Sequence, residues 1–446
     1  MNSLDLYDVS GIRAILDRQR AAFLADPAPT AEQRIERLER AAQLLLVHAG
    51  ELTEALNRDF GVRSPTFTHG VEIQYPLANI RQTQADLERW MRSESRPSPQ
   101  GSAWVQYQPL GVVGVVTPWN GPVNMLFNGL AGALAAGNRV MLKPSELTPC
   151  TSGLLARLLR SAYAEDEVAV ITGGAEVARA FCAQPFDHLL FTGAGSIGRE
   201  VMRAAADNLV PVTLELGGKS PVILSRSADL ASAAAMVAVA KMINSGQICV
   251  APDYLFVPEE SLQAFVATAR AAIAARFPSL RDNPEVTSII NQRHFQRLHG
   301  YIDQARAAGV EVIELNPAQE DFAGQPFYKM CPTLLIDPPD ELGVMQEEIF
   351  GPLLPVKTYR EMDEVLAYIN ARPRPLALYY FGQDAGEEQQ VLSRTCSGGV
   401  TVNGIAQHAS LESLPFGGVG ASGMGAYHGI DGFRRFSHAK AVFRSA

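Results

Sequence analysis

The stretch DHLLFTGAGSIGRE (187–200) contains an apolar run, HLLF, that is followed closely by Gly193, Gly195 and Gly198. The apolar run predicts a short buried strand, and the residues after the glycines have the pattern of a helix. The same alternation of strands and helices surrounds this stretch, with glycine at the carboxyl ends of strands. It predicts an α/β fold with a parallel, doubly wound sheet, and a second α/β run from about 220 to 397 predicts another.

The three glycines have the Gly-x-Gly-x-x-Gly spacing that is found where the pyrophosphate of a dinucleotide meets a helix N-terminus. By itself this spacing fits a tight strand-to-helix turn equally well, so both interpretations stay open. The usual form of the motif would assign the next acid, Glu215, to the adenosine ribose. Other segments of the chain favour a different role for that residue.

The composition indicates a globular protein, since 47% of the 446 residues are hydrophobic and 19% are charged. A chain of this length predicts two or three domains, and its net charge of −9 provides no basic surface for nucleic acid. The amino terminus lacks an apolar signal segment, and the apolar stretch 230–240 is too short to cross a membrane. Five scattered cysteines and eight histidines show no metal-binding spacing. We therefore expect a soluble protein of the reducing cytoplasm, without a metal.

Six segments of the chain resemble, in the expected order, the signature motifs of the aldehyde dehydrogenase superfamily. They are TPWNGPVN (117–124), KPSE (143–146), FTG (191–193), LELGGKSPVI (214–223), NSGQICVAPDY (244–254) and EEIFGP (347–352). The resemblance extends from about residue 20 to 440, and the segment 414–438 is similar to the branch that acts on fatty and aromatic aldehydes. It implies the oxidation of an aldehyde, either aromatic such as coniferyl aldehyde or medium-chain aliphatic, to the carboxylic acid with NAD, or alternatively NADP.

By this resemblance Cys249 is the nucleophile, which would form a thiohemiacetal and then a thioester. Without the motif, Cys249 would be interpreted as a small buried hydrophobic residue. Asn120 matches the amide that donates to the oxyanion, together with the backbone N–H of Cys249, although Pro-Trp-Asn-Gly is also typical of a turn. Glu215 matches the general base that activates water, with an exposed strand end as its alternative. Its presence favours hydrolysis of the thioester.

The resemblance also assigns residues to the cofactor. Lys143 and Glu146 match the pair that binds the adenosine ribose, and a carboxylate there would repel a 2′-phosphate and favour NAD. The segment alone would be a turn that opens a helix, with Ser145 as a plausible N-cap. Glu348 and Phe350 match residues at the nicotinamide, although core packing is the alternative for Phe350. The remaining expected contacts are Trp119, Gly193 and Ser196, the last of which could replace a hydroxyl that many relatives have at the position of Ala194.

The implied fold is α/β and aldehyde dehydrogenase-like, with two doubly wound parallel-sheet domains and a small oligomerisation element. Its expected parts are an NAD(P)-binding domain at 1–79 and 104–218, a catalytic domain at 219–397, oligomerisation segments at 80–103 and 398–435, and a C-terminal tail at 436–446. Since the branch is usually dimeric, the resemblance implies a homodimer.

The substrate site is expected on the helix that follows Asn120, with Asn124, Met125 and Phe127 as walls of an apolar pocket. His408 and His428 flank the closing segment and receive no role. Two alternatives to the hydrolytic enzyme remain: an aldehyde dehydrogenase that acylates coenzyme A, and an inactive family member with a binding role. The intact set of Cys249, Asn120, Glu215, Glu146 and Glu348 argues against inactivity.

Overall fold

The computed structural model describes residues 9–445. The first eight residues of the expected NAD(P)-binding domain lie outside the described residues. They include part of the amino terminus that we expect to lack a signal segment. The last residue of the expected C-terminal tail also lies outside them. No helix within the described range is both long and apolar enough to span a bilayer.

Helices make up most of the first 90 residues and separate the later strands. The α-helices are α1 (Val9–Ala25), α2 (Ala31–Val47), α3 (Ala49–Phe60), α4 (Pro65–Phe67), α5 (Tyr75–Trp90), α6 (Pro122–Ala136), α7 (Pro149–Ala162), α8 (Ala175–Cys182), α9 (Gly195–Ala206), α10 (Leu230–Lys241), α11 (Leu262–Arg276), α12 (Gln292–Ala307), α13 (Gly343–Gln346), α14 (Met362–Asn370), α15 (Ala385–Arg394), α16 (Gln407–Ser410) and α17 (Gly429–Arg435). A π-helix spans Thr68–Gln74, and 3₁₀-helices span Ile243–Gly246 and Glu259–Ser261.

The strands form three sheets. They are β1 (Glu94–Arg96), β2 (Gly101–Pro109), β3 (Val112–Val116), β4 (Arg139–Lys143), β5 (Val168–Val170), β6 (His188–Gly193), β7 (Val212–Leu216), β8 (Pro221–Leu224), β9 (Tyr254–Pro258), β10 (Glu311–Glu314), β11 (Thr333–Ile336), β12 (Leu353–Tyr359), β13 (Ala377–Phe381), β14 (Gly399–Val402), β15 (Gly423–Met424) and β16 (Ser437–Ser445).

The first large sheet has the strand order β15–β7–β6–β3–β4–β5. Strands β3 to β7 are parallel, and the two-residue edge strand β15 is antiparallel to β7. β3 is buried along its whole length, as expected for a valine-rich strand covered on both faces. The chain proceeds from β3 through β4 and β5 and then returns to β6 on the other side of β3. The carboxyl ends of β3 and β6 therefore form a switch point, where such sheets bind ligands.

The second large sheet has the order β10–β11–β12–β9–β8–β13–β14. All its pairings are parallel except that of β10 with β11. The predicted α/β fold with two doubly wound parallel sheets is confirmed. Since β9 directly follows the segment that contains Cys249, this sheet holds one side of the site.

The third sheet is small and antiparallel, in the order β1–β2–β16. β16 pairs with β2 over nine residues, so the segment expected to be a C-terminal tail is an edge strand of this sheet. The expected segment 398–435 also contributes to both large sheets, because β14 pairs with β13 and β15 pairs with β7.

Candidate active site

Cys249 lies in the turn that connects α10 to β9, and its side chain is partly exposed. The turn contains Asn244 in the left-handed region, with a φ of 48°, which non-glycine residues rarely adopt. Gln247 fastens the turn to the neighbouring loop. Its Nε2 donates to the carbonyl of Ser288 at 3.0 Å, and its Oε1 accepts from the N–H of Ile290 at 3.0 Å. The thiol is therefore presented by a constrained turn.

The segment after Cys249 is tied to the EEIFGP segment (347–352) through Asp253. One carboxylate oxygen of Asp253 accepts a hydrogen bond from the N–H of Ile349 at 2.9 Å. The other oxygen is paired with the ammonium group of Lys219. These bonds hold two of the segments that carry the family resemblance side by side.

Asn120 lies between the carboxyl end of β3 and the start of α6, and it is buried. Its side-chain Nδ2 donates to the carbonyl oxygen of Gln247 at 3.2 Å, so the amide faces the turn that carries Cys249. Both residues line the same cavities. The structure thus brings the expected nucleophile and the expected amide donor together.

A buried ion pair that the motif comparison missed holds the loop of Asn120. The side chains of Arg63 and Glu72 have 0% exposure, and Arg63 Nη2 donates to Glu72 Oε1 at 2.5 Å and to the carbonyl of Asn120 at 2.7 Å. Glu72 Oε2 accepts from the N–H groups of Val123 and Asn124 at 3.1 and 2.9 Å, at the N-terminus of α6. A carboxylate there is favourably placed because a helix N-terminus has unpaired donors and positive potential.

Glu215 is buried on β7, with 2% of its surface exposed. Within the described part of the chain, neither of its carboxylate oxygens has a hydrogen-bond partner. Burial raises the pKa of Glu215 well above its ordinary value, and the positive charge of Arg435 opposes this shift. The side chain lines the same groove as Cys249. Its oxygens are therefore free for a ligand or water, and a raised pKa suits a base that works near neutral pH.

The protein's own groups favour the neutral form of the Cys249 thiol. Burial, together with the carboxyl groups of Glu348 and Glu215, raises its pKa to about 12. The backbone N–H groups of Cys249 and Val250 act in the opposite direction. A cationic ligand beside the sulfur would lower this pKa and favour the nucleophilic thiolate.

A groove of about 380 Å³ lies at the switch point of the first sheet and ends at Cys249. The ring of Trp119 is central to it, with its centroid 5.4 Å from those of Phe350 and His294. Phe350 has a φ of 47°, a strained conformation of the kind that clusters at binding sites. The expected contacts that line this groove are Trp119, Gly193, Ser196, Glu348 and Phe350. We call it the nucleotide groove, since the N-terminus of α9 at one wall offers backbone donors to a pyrophosphate.

Glu348 is packed directly over the backbone of Gly217. A Cβ atom on Gly217 would lie 2.1 Å from Glu348 Oε2, so a side chain at position 217 would displace the carboxylate. Burial, together with the charge of Asp253, raises the pKa of Glu348 to about 8, while Lys219 and Lys241 oppose the shift. The segment LELGGKSPVI (214–223) therefore needs a glycine at position 217 for steric reasons.

Lys143 and Glu146 lie outside the lining of the nucleotide groove, at the carboxyl end of β4. Lys143 is buried and its Nζ donates to the carbonyl of Pro144 at 2.8 Å. The same Nζ lies 3.9 Å from Oε2 of Glu146, whose side chain is 44% exposed. Because β4 is the neighbour of β3, these residues lie further along the same edge of the sheet.

A second cavity, of about 530 Å³, meets the groove at the thiol, since Asn120, Met125 and Cys249 line both. We call it the aromatic cavity, because its walls include Phe67, Tyr75, Phe416 and Tyr427 together with Val71, Ile243 and Ile405.

Two of the three expected pocket residues, Asn124 and Met125, line the aromatic cavity, whereas Phe127 does not. Phe127 is 1% exposed and packs in the core. It is about 200° around α6 from Met125, which turns it away from the cavity.

The residues of the groove fit a nicotinamide dinucleotide better than a metal ion. The walls are partly aromatic, and α9 presents its N-terminus to the groove. Within residues 9–445, no group of three or more His, Cys, Asp or Glu side chains is placed to hold a metal ion.

Comparisons with known proteins agree with these features. A profile of the aldehyde dehydrogenase family matches residues 3–442. The chain is 55% identical to a probable coniferyl aldehyde dehydrogenase of Caulobacter vibrioides, over 96% of this chain and 90% of the relative. It is 53% identical to a coniferyl aldehyde dehydrogenase of a Pseudomonas species, over 96% and 89%. The structure of a Mycobacterium tuberculosis aldehyde dehydrogenase complexed with NAD+ superposes with a TM-score of 0.89, at 27% identity, over 99% of this chain and 91% of that one.

A doubly wound sheet with a groove at its switch point, and a thiol between that groove and an apolar cavity, are features of a nucleotide-dependent oxidoreductase. The chain belongs to the aldehyde dehydrogenase family. It is accordingly an oxidoreductase that acts on aldehydes.

Proposed function

We propose that this protein oxidises aldehydes to carboxylic acids with NAD(P), through a thioester on Cys249. The observation that carries the proposal is the position of Cys249 and Asn120 where the nucleotide groove meets the aromatic cavity. An aldehyde in the cavity and a hydride acceptor in the groove would meet at one sulfur atom.

The cofactor we propose is NAD, with NADP as the alternative. It would supply the acceptor for the hydride. The nicotinamide end would be held by Trp119, Glu348 and Phe350, the pyrophosphate by Gly193 and Ser196, and the adenosine ribose by Lys143 and Glu146. The exposed carboxylate of Glu146 would accept hydrogen bonds from a ribose hydroxyl and repel a 2′-phosphate, which favours NAD.

In the first step the thiolate form of Cys249, which a cationic ligand beside the sulfur would favour, would form a bond to the aldehyde carbon; the carbonyl π bond would break, and its oxygen would gain negative charge. The amide of Asn120 and the backbone N–H of Cys249 would donate to that oxygen. One such donor contributes about 3–4 kcal/mol to the transition state in comparable acyl-transfer sites. Burial of Asn120 and its bond to the carbonyl of Gln247 support this role, because they keep the amide beside the thiol.

Collapse of the thiohemiacetal would release the aldehyde hydrogen as a hydride and leave a thioester. Glu215 would then take a proton from water while the water oxygen attacks the thioester carbon and expels the sulfur of Cys249. The unpartnered oxygens of Glu215 and its raised pKa support this role. A carboxylate at this position also favours water over coenzyme A as the acyl acceptor.

The substrates we propose are aromatic aldehydes such as coniferyl aldehyde, or medium-chain aliphatic aldehydes. The volume of the aromatic cavity, about 530 Å³, is in the range of small-molecule sites, and its walls are mostly apolar. The names of the two relatives support the aromatic choice.

For the assembly, we propose a homodimer formed through segments 80–103 and 398–435, beside an NAD(P)-binding domain at 1–79 and 104–218 and a catalytic domain at 219–397. A reducing cytoplasm is the compartment we propose, and the five unpaired cysteines support it. Light scattering of the purified protein should give twice the mass of the 446-residue chain. A monomer would contradict the proposed dimer.

The proposal is tested by a pair of cysteine variants. The C249A variant should form no NADH from an aldehyde but should still bind NADH. Cys396 is exposed and lies outside both cavities, so the C396A variant should keep wild-type turnover. Near-normal turnover of C249A would refute the covalent mechanism. Formation of acyl-coenzyme A on addition of coenzyme A would favour the acylating alternative, and a lack of NADH production across a broad aldehyde panel would favour the inactive one.

A further inference from the structure

One wall of the aromatic cavity carries a polar cluster, formed by Tyr75 and His428 with Glu412 behind them. The hydroxyl of Tyr75 lies 3.2 Å from Glu412 Oε1 and 3.1 Å from the carbonyl oxygen of Ala409, and these two acceptors share its single proton. His428 Nδ1 lies 3.5 Å from the same Oε1. Glu412 is fixed from the other side, where its Oε2 accepts from the N–H of Gly429 at 2.9 Å.

His428 is 5% exposed, yet its ring makes no hydrogen bond within the described residues, and its buried Nδ1 is unpartnered. The ring is packed between aromatic neighbours, stacked on Phe416 at a centroid distance of 4.8 Å and edge-on to Tyr427 at 4.7 Å. Nδ1 is buried beside Glu412, so the ring nitrogen left for a ligand in the cavity is Nε2, for which a hydrogen-bond partner would be favourable.

The imidazole of His428 is neutral near neutral pH, because burial lowers its pKa to about 4. A neutral imidazole has one N–H and one lone pair. The carboxyl group of Glu412 beside Nδ1 favours the proton on that nitrogen, which leaves Nε2 as an acceptor. An acceptor in an otherwise apolar cavity is suited to a neutral hydroxyl group that donates to it.

We propose that His428, oriented by Glu412 and Tyr75, binds a hydroxyl group on the ring of an aromatic aldehyde and so makes the enzyme selective for hydroxylated aromatic aldehydes. This inference rests on the proposed function, in which the aromatic cavity holds the aldehyde. An aldehyde without the hydroxyl would leave the histidine unsatisfied, and sites of this kind discriminate strongly against such analogues. An anionic group would be repelled by Glu412.

The test compares 4-hydroxycinnamaldehyde with cinnamaldehyde, which differ only in the ring hydroxyl. The H428F variant keeps an aromatic ring but loses both nitrogens. The measured quantity is kcat/KM for 4-hydroxycinnamaldehyde divided by kcat/KM for cinnamaldehyde. In H428F this ratio should fall about tenfold relative to wild type, as expected for one lost hydrogen bond. The fall should lie mainly in KM of the hydroxylated substrate. H428Q, which keeps a donor and an acceptor, should recover part of the ratio.

The matched control is I405A, which alters an apolar wall of the same cavity and leaves the aromatic neighbours of His428 in place. It should lower kcat/KM for both aldehydes alike and keep the ratio within twofold of wild type. An unchanged ratio in H428F would overturn the inference. If H428F does not bind NADH, E412Q takes its place, and an unchanged ratio there would have the same meaning. Failure of wild type to oxidise either aromatic aldehyde while it oxidises hexanal would also overturn the inference, whereas failure across a broad aldehyde panel would overturn the proposed function.

Discussion

Replacing Glu72 with glutamine should slow catalysis although Glu72 lines neither cavity. Its carboxylate accepts from three groups that can only donate: Arg63 Nη2 at 2.5 Å and the backbone N–H groups of Val123 and Asn124 at 3.1 and 2.9 Å. A glutamine would turn its own NH₂ group towards at least one of these donors. It would also leave the buried charge of Arg63 without its partner.

The size of the effect follows from burial. Both side chains of the pair have 0% exposure, and breaking such a pair destabilises a protein by about 3–5 kcal/mol. Arg63 also holds the carbonyl of Asn120 at 2.7 Å, so the amide of Asn120 should lose its alignment to the oxyanion. If half of a donor's contribution of about 3–4 kcal/mol is lost, kcat falls about 10- to 30-fold.

Steady-state kinetics and urea unfolding of E72Q measure both effects. The matched control is E167Q, because Glu167 forms a largely buried pair with Arg37 and Arg40, at 2.8 and 2.9 Å, outside both cavities. E167Q should lose stability and keep kcat. An E72Q variant that is destabilised but keeps the wild-type kcat would refute the positioning argument.

Four further substitutions test separate parts of the account. E215Q should raise the melting temperature, and the gain should grow as the pH rises from about 4.5 towards the raised pKa of the folded Glu215. Over that range the folded carboxyl keeps a proton that the unfolded one releases, which costs the wild-type protein about 1.4 kcal/mol of unfolding free energy per pH unit. A gain that is constant from pH 5 to 8 in thermal scans would contradict this. E146Q should increase the kcat/KM of NADP relative to NAD about tenfold, because it removes a charge that repels the 2′-phosphate. An unchanged ratio would show that Glu146 does not contact the adenosine ribose. F127L should lower the free energy of unfolding by about 1 kcal/mol without changing KM for the aldehyde, because Phe127 packs in the core. M125A should change that KM, because Met125 lines the cavity. A changed KM in F127L and an unchanged one in M125A would show that Phe127, not Met125, contacts the substrate.

The fold could be predicted from the sequence because its signals are local. Valine-rich β3 and the glycine that ends β6 identify buried parallel strands without any knowledge of tertiary contacts. The role of β16 could not be predicted in this way. The residues of Ser437–Ser445 are mostly exposed, and the segment becomes a strand because it pairs with the edge of β2.

The site was predictable where a motif carries it. Cys249, Asn120 and Glu215 lie around one junction, as the six segments implied. Arg63 and Glu72 gave no such signal, because charged residues in a polar segment are usually exposed and their burial depends on the π-helix Thr68–Gln74 and α6.

His428 could not be assigned from sequence either, because its role depends on a cavity wall that distant segments build together. Phe127 shows the same limit from the other side. Phe127 is only two residues from Met125 in the sequence, but the packing of α6 decides which face of the helix lines the cavity.

The central claim is that the reaction passes through an acyl group on the sulfur at position 249. Intact-mass spectrometry of E215Q, mixed with NAD and cinnamaldehyde and quenched in acid, measures this directly. We expect a protein species heavier by the acyl group, with the adduct on the peptide that contains Cys249 and absent from the C249A/E215Q double variant. NADH formation without any adduct, or an adduct that persists in the double variant, would contradict the account.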